Sequence, residues 1–130
     1  MGLLDKAGDT LYYLNKWSSG EQKMQRDDMT RLQIKAEVFK ALGHPLRLGV
    51  VEFLRDGEKC VCEIVDHMGT GMSNISKHLA ILKKAGVVAD RRDGVKIMYR
   101  VTMSCALDFS HCVEGVVIRR LEDQRSVMVA

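Results

Sequence analysis

Between Met72 and Val101 the hydrophobic period of the chain changes from that of a helix to that of a strand, and this narrows the fold more than any other feature. Over Met72 to Ala85, Ile75, Leu79 and Leu82 recur at three- and four-residue spacing, which predicts a helix buried along that stripe. Its other side carries Ser73, Asn74, Ser76, Lys77 and Lys84, small or basic groups suited to base edges and phosphates. Two β-prone runs follow, Val87 to Arg92 and Lys96 to Val101, joined at the turn signal Asp93-Gly94. Ile97, Tyr99 and Val101 are expected on the inward face of this hairpin. Arg92, Asp93, Gly94 and Lys96 then form an exposed tip.

Upstream, Leu32, Ala36, Phe39 and Leu42 line one side of a helix that Gly43-His44-Pro45 ends. Pro45 suits the first turn of a second helix, with Leu46, Val50, Phe53 and Leu54 on its stripe and Asp56-Gly57 as its stop. A third helix runs from about Cys60 to Met68, presenting Val61, Ile64, Val65 and Met68, and Gly69-Thr70-Gly71 makes the turn into Met72. Two short helices, a glycine turn and a polar-faced second helix are the ingredients of a helix-turn-helix, and the basic hairpin is a wing.

The two ends complete the plan. Leu4, Ala7, Leu11 and Leu14 mark an amphipathic N-terminal helix that closes at Ser18-Ser19-Gly20. Residues 1–20 therefore read as a helix and linker, and residues 21–130 as a winged helix-turn-helix domain for DNA binding and dimerisation. A last helix, from about Cys105 to Gln124, sets Cys105, Phe109, Cys112 and Val116 on one stripe with Val113 and Val117 beside it. Two copies packed together would bury so wide a face, which predicts a homodimer on a two-fold symmetric operator.

Composition agrees. With 130 residues, 46% of them hydrophobic, there is material for one domain with a real core. One proline, 5% aromatic and 28% charged residues favour a mainly α fold with a small hairpin. The net charge of +3 does not diagnose nucleic-acid binding, but Lys77, Lys83, Lys84, Arg91, Arg92, Lys96 and Arg100 crowd together as a basic face would. No run approaches the ~18 apolar residues of a membrane span, and the start lacks a signal core, so a cytoplasmic protein with no membrane partner is expected. No nucleophile, base and orienting group occur as a set, which argues against an enzyme.

The arrangement from Val38 to Val101 resembles the ArsR/SmtB family of bacterial metal-responsive repressors. The likeness rests on Phe39 to Leu48 around Gly43-His44-Pro45, on Glu58-Lys59-Cys60-Val61-Cys62-Glu63-Ile64, on Ser76 to Val88, and on Arg91-Arg92-Asp93-Gly94. It implies a dimeric winged helix that represses by occupying double-stranded operator DNA without a cofactor, and that a ligand releases. The DNA contacts it implies are Met72, Ser73, Asn74, Ser76, Lys77, His78, Arg91, Arg92 and Lys96.

The sequence departs from the family pattern at several points. The third thiol of arsenite sensors is replaced by Val65, and the arm cysteines of cadmium and lead sensors are absent. Asp108, His111 and Glu114 lie on the last helix, but not in the Asp-x-His arrangement of zinc and nickel members. Gly71 and Thr70 stand where a capping serine and an apolar residue are usual, so Thr70 is a candidate cap for the recognition helix.

Cysteine chemistry sets the expected inducer. In a reducing compartment Cys60, Cys62, Cys105 and Cys112 are better suited to ligation or redox chemistry than to structural disulfides, and a Cys60–Cys62 bridge looks sterically awkward. Side chains at i and i+2 of a helix diverge by about 200°, so both thiols can face one ion only if Cys60 lies at or before the first turn, where the backbone is extended. Arsenite or antimonite at Cys60 and Cys62 is the favoured inducer, with Cd, Zn or Pb as other soft candidates. The missing ligand would come from Cys105 or Cys112, from His67, or from an exogenous thiol. The alternative is a redox or reactive-sulfur switch joining one of Cys60 and Cys62 to one of Cys105 and Cys112. A protein-interaction module using the N-terminal helix is a third reading.

Overall fold

The computed structural model describes residues 26–129. Contacts divide the chain into two compact units, residues 1–34 and 35–130, and the core, the sheet and all four cysteines belong to the second. The expected helix over residues 3 to 17 lies outside the described residues. The elements are α1 (Arg26–Leu42), α2 (Pro45–Phe53), a 3-10 turn (Leu54–Asp56), β1 (Lys59–Cys60), α3 (Val61–Met68), α4 (Met72–Lys84), β2 (Val88–Asp93), β3 (Lys96–Val101), α5 (Cys105–Cys112) and α6 (Glu114–Val129).

Local chemistry starts and stops the central helices. Pro45 opens α2 while His44, in extended backbone, caps it by accepting the Leu46 amide on its ring Nδ1 at 3.1 Å. Gly69, at φ 65°, closes α3 in the left-handed conformation that costs glycine least. The end of the Met68 side chain of α3 rests against Gly49 of α2, where a Cβ would stand 2.9 Å from Met68 Cε.

The core gathers Val50, Val51 and Leu54 after α1, Ile64 of α3, Ile75, Leu79 and Leu82 of α4, and Val87, Val88 and Ala106. The predicted stripe of α4 is thus the buried one. The hairpin register runs from Val88 opposite Val101 to Asp93 opposite Lys96, leaving Gly94 and Val95 as a two-residue loop. Gly94 takes φ 62° at the first loop position, which suits the twist of a tight hairpin.

Four expectations need correction. The sheet has a third strand: β1 pairs antiparallel with β3, Lys59 opposite Tyr99 and Cys60 opposite Met98, giving the order β1-β3-β2. Ile97 is exposed, because it stands nearer the tip than Tyr99 and Val101, which do pack on the core. The buried side of α1 is Val38, Ala41 and Leu42, whereas Ala36 is exposed and Phe39 turns its ring edge-on to Phe109 at 5.8 Å. The last helix is two helices, interrupted at Val113, whose ψ is −7°.

Candidate nucleic-acid interface and the adjoining cysteine pair

The first turns of α4 present the groups that recognition of a duplex requires. Met72 is half exposed, and Ser73, Asn74, Ser76 and Lys77 are exposed on one helix whose opposite stripe is sealed in the core. Gly71 precedes the helix without a side-chain cap. Thr70 does not supply that cap either: its hydroxyl oxygen accepts a hydrogen bond from Asn74 Nδ2 at 3.1 Å.

His78 is half-buried, its ring 4.5 Å from that of His44 between centroids. Arg47 Nη1 lies 3.3 Å from its Nδ1, and since guanidinium only donates, Nδ1 accepts and Nε2 carries the proton of the neutral ring. Arg47 also donates to the Ala41 carbonyl at 2.6 Å and the Lys40 carbonyl at 3.2 Å, tying the end of α1 to α4. Burial first, then the neighbouring His44 and Arg47, hold the His78 pKa below its ordinary value. Reading the sequence for contacts missed Arg47; its only signal was its place just after Gly43-His44-Pro45.

The wing is braced by two ion pairs. Lys83 Nζ of α4 meets Asp90 of β2 at 2.9 Å, and this hydrogen bond raises the Lys83 pKa. Arg91 grips Glu58, its Nε donating to both carboxylate oxygens at 2.9 and 2.8 Å while Nη2 also bonds the carboxylate. That hydrogen bonding holds the Glu58 carboxyl below the usual range. Arg91 is therefore engaged within the domain, and Arg92 and Lys96 are the exposed cations at the tip.

Cys60 sits where these parts join. It ends β1, and in extended backbone (φ −75°, ψ 156°) it is also the N-cap of α3. Its Sγ accepts the Glu63 amide at 3.3 Å, and Glu63 Oε2 accepts the Cys60 amide at 2.9 Å, a reciprocal capping box. Cys60 is buried, Cys62 is exposed, and the two are bridged, with Cα atoms 5.3 Å apart. The expectation that such a bridge is awkward is wrong, because Cys60 lies before the helix and the i, i+2 divergence does not apply to it.

Among the described residues no further thiol or imidazole joins this pair. Cys105 and Cys112 are free, exposed thiols, and the His67 ring stacks flat on Phe53 at a centroid distance of 3.9 Å. Among the described residues no three His, Cys, Asp or Glu side chains form a group that could hold a metal ion. A trigonal thiolate site or a tetrahedral zinc site therefore does not fit the described residues of one subunit. His111 and Glu114 line a polar depression of about 530 Å³ with Glu52, Arg55, Asp56 and Ser110, whose hydroxyl donates to Glu52 at 2.5 Å. Among the described residues no helix is long and apolar enough to cross a membrane.

Comparison with known proteins places this architecture. Residues 44–90 match the arsR family of bacterial regulatory proteins. The HTH-type transcriptional regulator Rv0081 of Mycobacterium tuberculosis is 35% identical over 97 residues, 74% of this chain and 85% of its own length. Its crystal structure superposes with a TM-score of 0.62 at 35% identity, over 72% of this chain and 94% of that one. The homodimeric winged helix-turn-helix DNA-binding domain of Mb0332 from Mycobacterium bovis gives a TM-score of 0.67 at 28% identity, covering 79% and 95% of the two chains. The transcriptional repressor BigR of Xylella fastidiosa gives 0.60 at 34% identity, over 72% and 96%. The fold, the sequence match and these relatives agree: the chain belongs to the arsR family of bacterial regulatory proteins, winged helix-turn-helix transcriptional regulators and not enzymes.

Proposed function

We propose that this protein is a homodimeric repressor that sets α4 in the major groove of a two-fold symmetric operator and leaves it when the Cys60–Cys62 pair changes state. The observation that carries this reading is the position of Cys60, shared between the strand paired to the wing and the cap of the helix packed against α4. A change at its sulfur acts on both DNA-contacting parts at once.

The dithiol form is the operator-binding form. A peroxide-class oxidant closes the pair: two thiols and one peroxide give a disulfide, an alcohol and water, so the sulfurs lose two electrons to the O–O bond. A bridge within the pair replaces the expected link to Cys105 or Cys112. A second reading, capture of As(III) or Sb(III) or of soft Cd, Zn or Pb by the reduced pair, is favoured by the extended N-cap that lets both sulfurs face one ion. The third thiolate then comes from the partner copy or from a free thiol, as among the described residues of one subunit no third thiol stands with the pair.

The test is binding of the reduced protein to its own upstream DNA, challenged with peroxide or with arsenite. Cys60→Ser and Cys62→Ser keep operator affinity and lose the response. Release by peroxide alone supports the bridge, and release by arsenite alone supports ligation. Release of the double serine variant by either agent overturns both.

A further inference from the structure

The hydrogen bond between Thr70 and Asn74 does nothing for the start of α4, since the backbone amides there receive no side-chain cap. It acts instead on an exposed amide in the first turn of the helix. Thr70 is half-buried, and its Oγ1 takes one N–H of Asn74 Nδ2 at 3.1 Å. Asn74 is left with its Oδ1 and its second N–H, an acceptor and a donor side by side.

Among the base edges of the major groove, adenine presents the complementary pair, the N6 donor beside the N7 acceptor. Guanine shows two acceptors, cytosine one donor, and thymine an acceptor with a methyl group. An asparagine held in one orientation before binding also loses less rotamer freedom on contact. We propose that Asn74 is a specificity-determining residue that reads an adenine in each operator half-site, and that Thr70 is the positioning residue that presents it. This rests on α4 being the groove reader.

Selection of binding sites from a randomised duplex DNA library tests it, using the full chain and the variants Asn74→Ala, Asn74→Asp, Thr70→Val, Thr70→Ser and Lys77→Ala, with folding followed by circular dichroism. The wild type selects adenine at one symmetric position. Asn74→Ala loses that preference, and Asn74→Asp, which can only accept, moves it toward cytosine. Thr70→Val removes the acceptor at nearly constant shape and lowers the adenine preference about 3- to 10-fold, while Thr70→Ser restores it. Should Thr70→Val fail to fold, the serine variant and the cytosine switch of Asn74→Asp still decide the matter. A preference for another base, an Asn74→Asp variant that still selects adenine, or unchanged discrimination in folded Thr70→Val overturns the proposal. Lys77→Ala separates this from failure of the groove assignment: loss of affinity on all sequences keeps α4 on DNA, whereas no effect of Lys77→Ala or Asn74→Ala removes it.

Discussion

Cys60 does two things with one sulfur, and the two can be taken apart by substitution. As an N-cap it accepts the Glu63 amide, a task serine performs well and alanine cannot. In reductant, Cys60→Ser is predicted to keep the wild-type unfolding midpoint in urea, and Cys60→Ala to lose ~0.5–2 kcal/mol; equal stability of the two would deny the cap. His78 gives a pH signature. Its folded pKa lies below the ordinary 6.5, so the unfolded chain takes up the proton first as pH falls. Stability is therefore complete above that value and declines as pH drops through it toward the folded pKa. Thermal melts at falling pH should show this slope in the wild type and a shallower one in His78→Gln, and parallel slopes would contradict it. Little of this was legible beforehand. The spacing allowed both sulfurs on one side if Cys60 stood at or before the first turn, yet nothing in it showed that the extended N-cap also admits a direct bridge, and Arg47 showed nothing in its own neighbourhood of a partner 31 residues away.

At the level of elements, the helix-turn-helix and the wing were legible because each carries a clean hydrophobic period and an unambiguous turn. Ile75, Leu79 and Leu82 are buried as their spacing demanded. β1 escaped notice because two residues are too few to show alternation, and its strand character comes from pairing with Tyr99 and Met98. The break at Val113 has no proline or glycine at the position to announce it. Since the buried stripe is the apolar anchor of α4, Leu79→Ala should cost ~2–5 kcal/mol in chemical unfolding. It should also weaken DNA binding without touching any DNA-facing group. A cost below 1 kcal/mol would mean the recognition helix is anchored elsewhere.

On the scale of the whole molecule, the large apolar side chains exposed along α5 and α6, Phe109, Val116, Val117, Ile118 and Leu121, are what a lone subunit leaves in water. Light scattering should return twice the subunit mass, and Leu121→Glu should shift it toward the monomer while weakening operator binding, because two half-sites then bind independently. A monomeric wild type with full operator affinity would contradict the dimeric reading. The sequence stripe Cys105, Phe109, Cys112 and Val116 assumed one continuous helix, so the break at Val113 and the exposed Ile118 and Leu121 beyond it were not in it; what covers these residues depends on a second chain and lies outside any local pattern. The central claim is that the state of the Cys60–Cys62 pair sets operator occupancy, and the most direct measurement is operator affinity of the reduced and the peroxide-treated protein, side by side with Cys62→Ser. The account predicts that treatment weakens wild-type binding by about 5- to 150-fold, reversibly with dithiol, and leaves Cys62→Ser unchanged. Equal affinity of the two wild-type forms, or equal loss in Cys62→Ser, would contradict it.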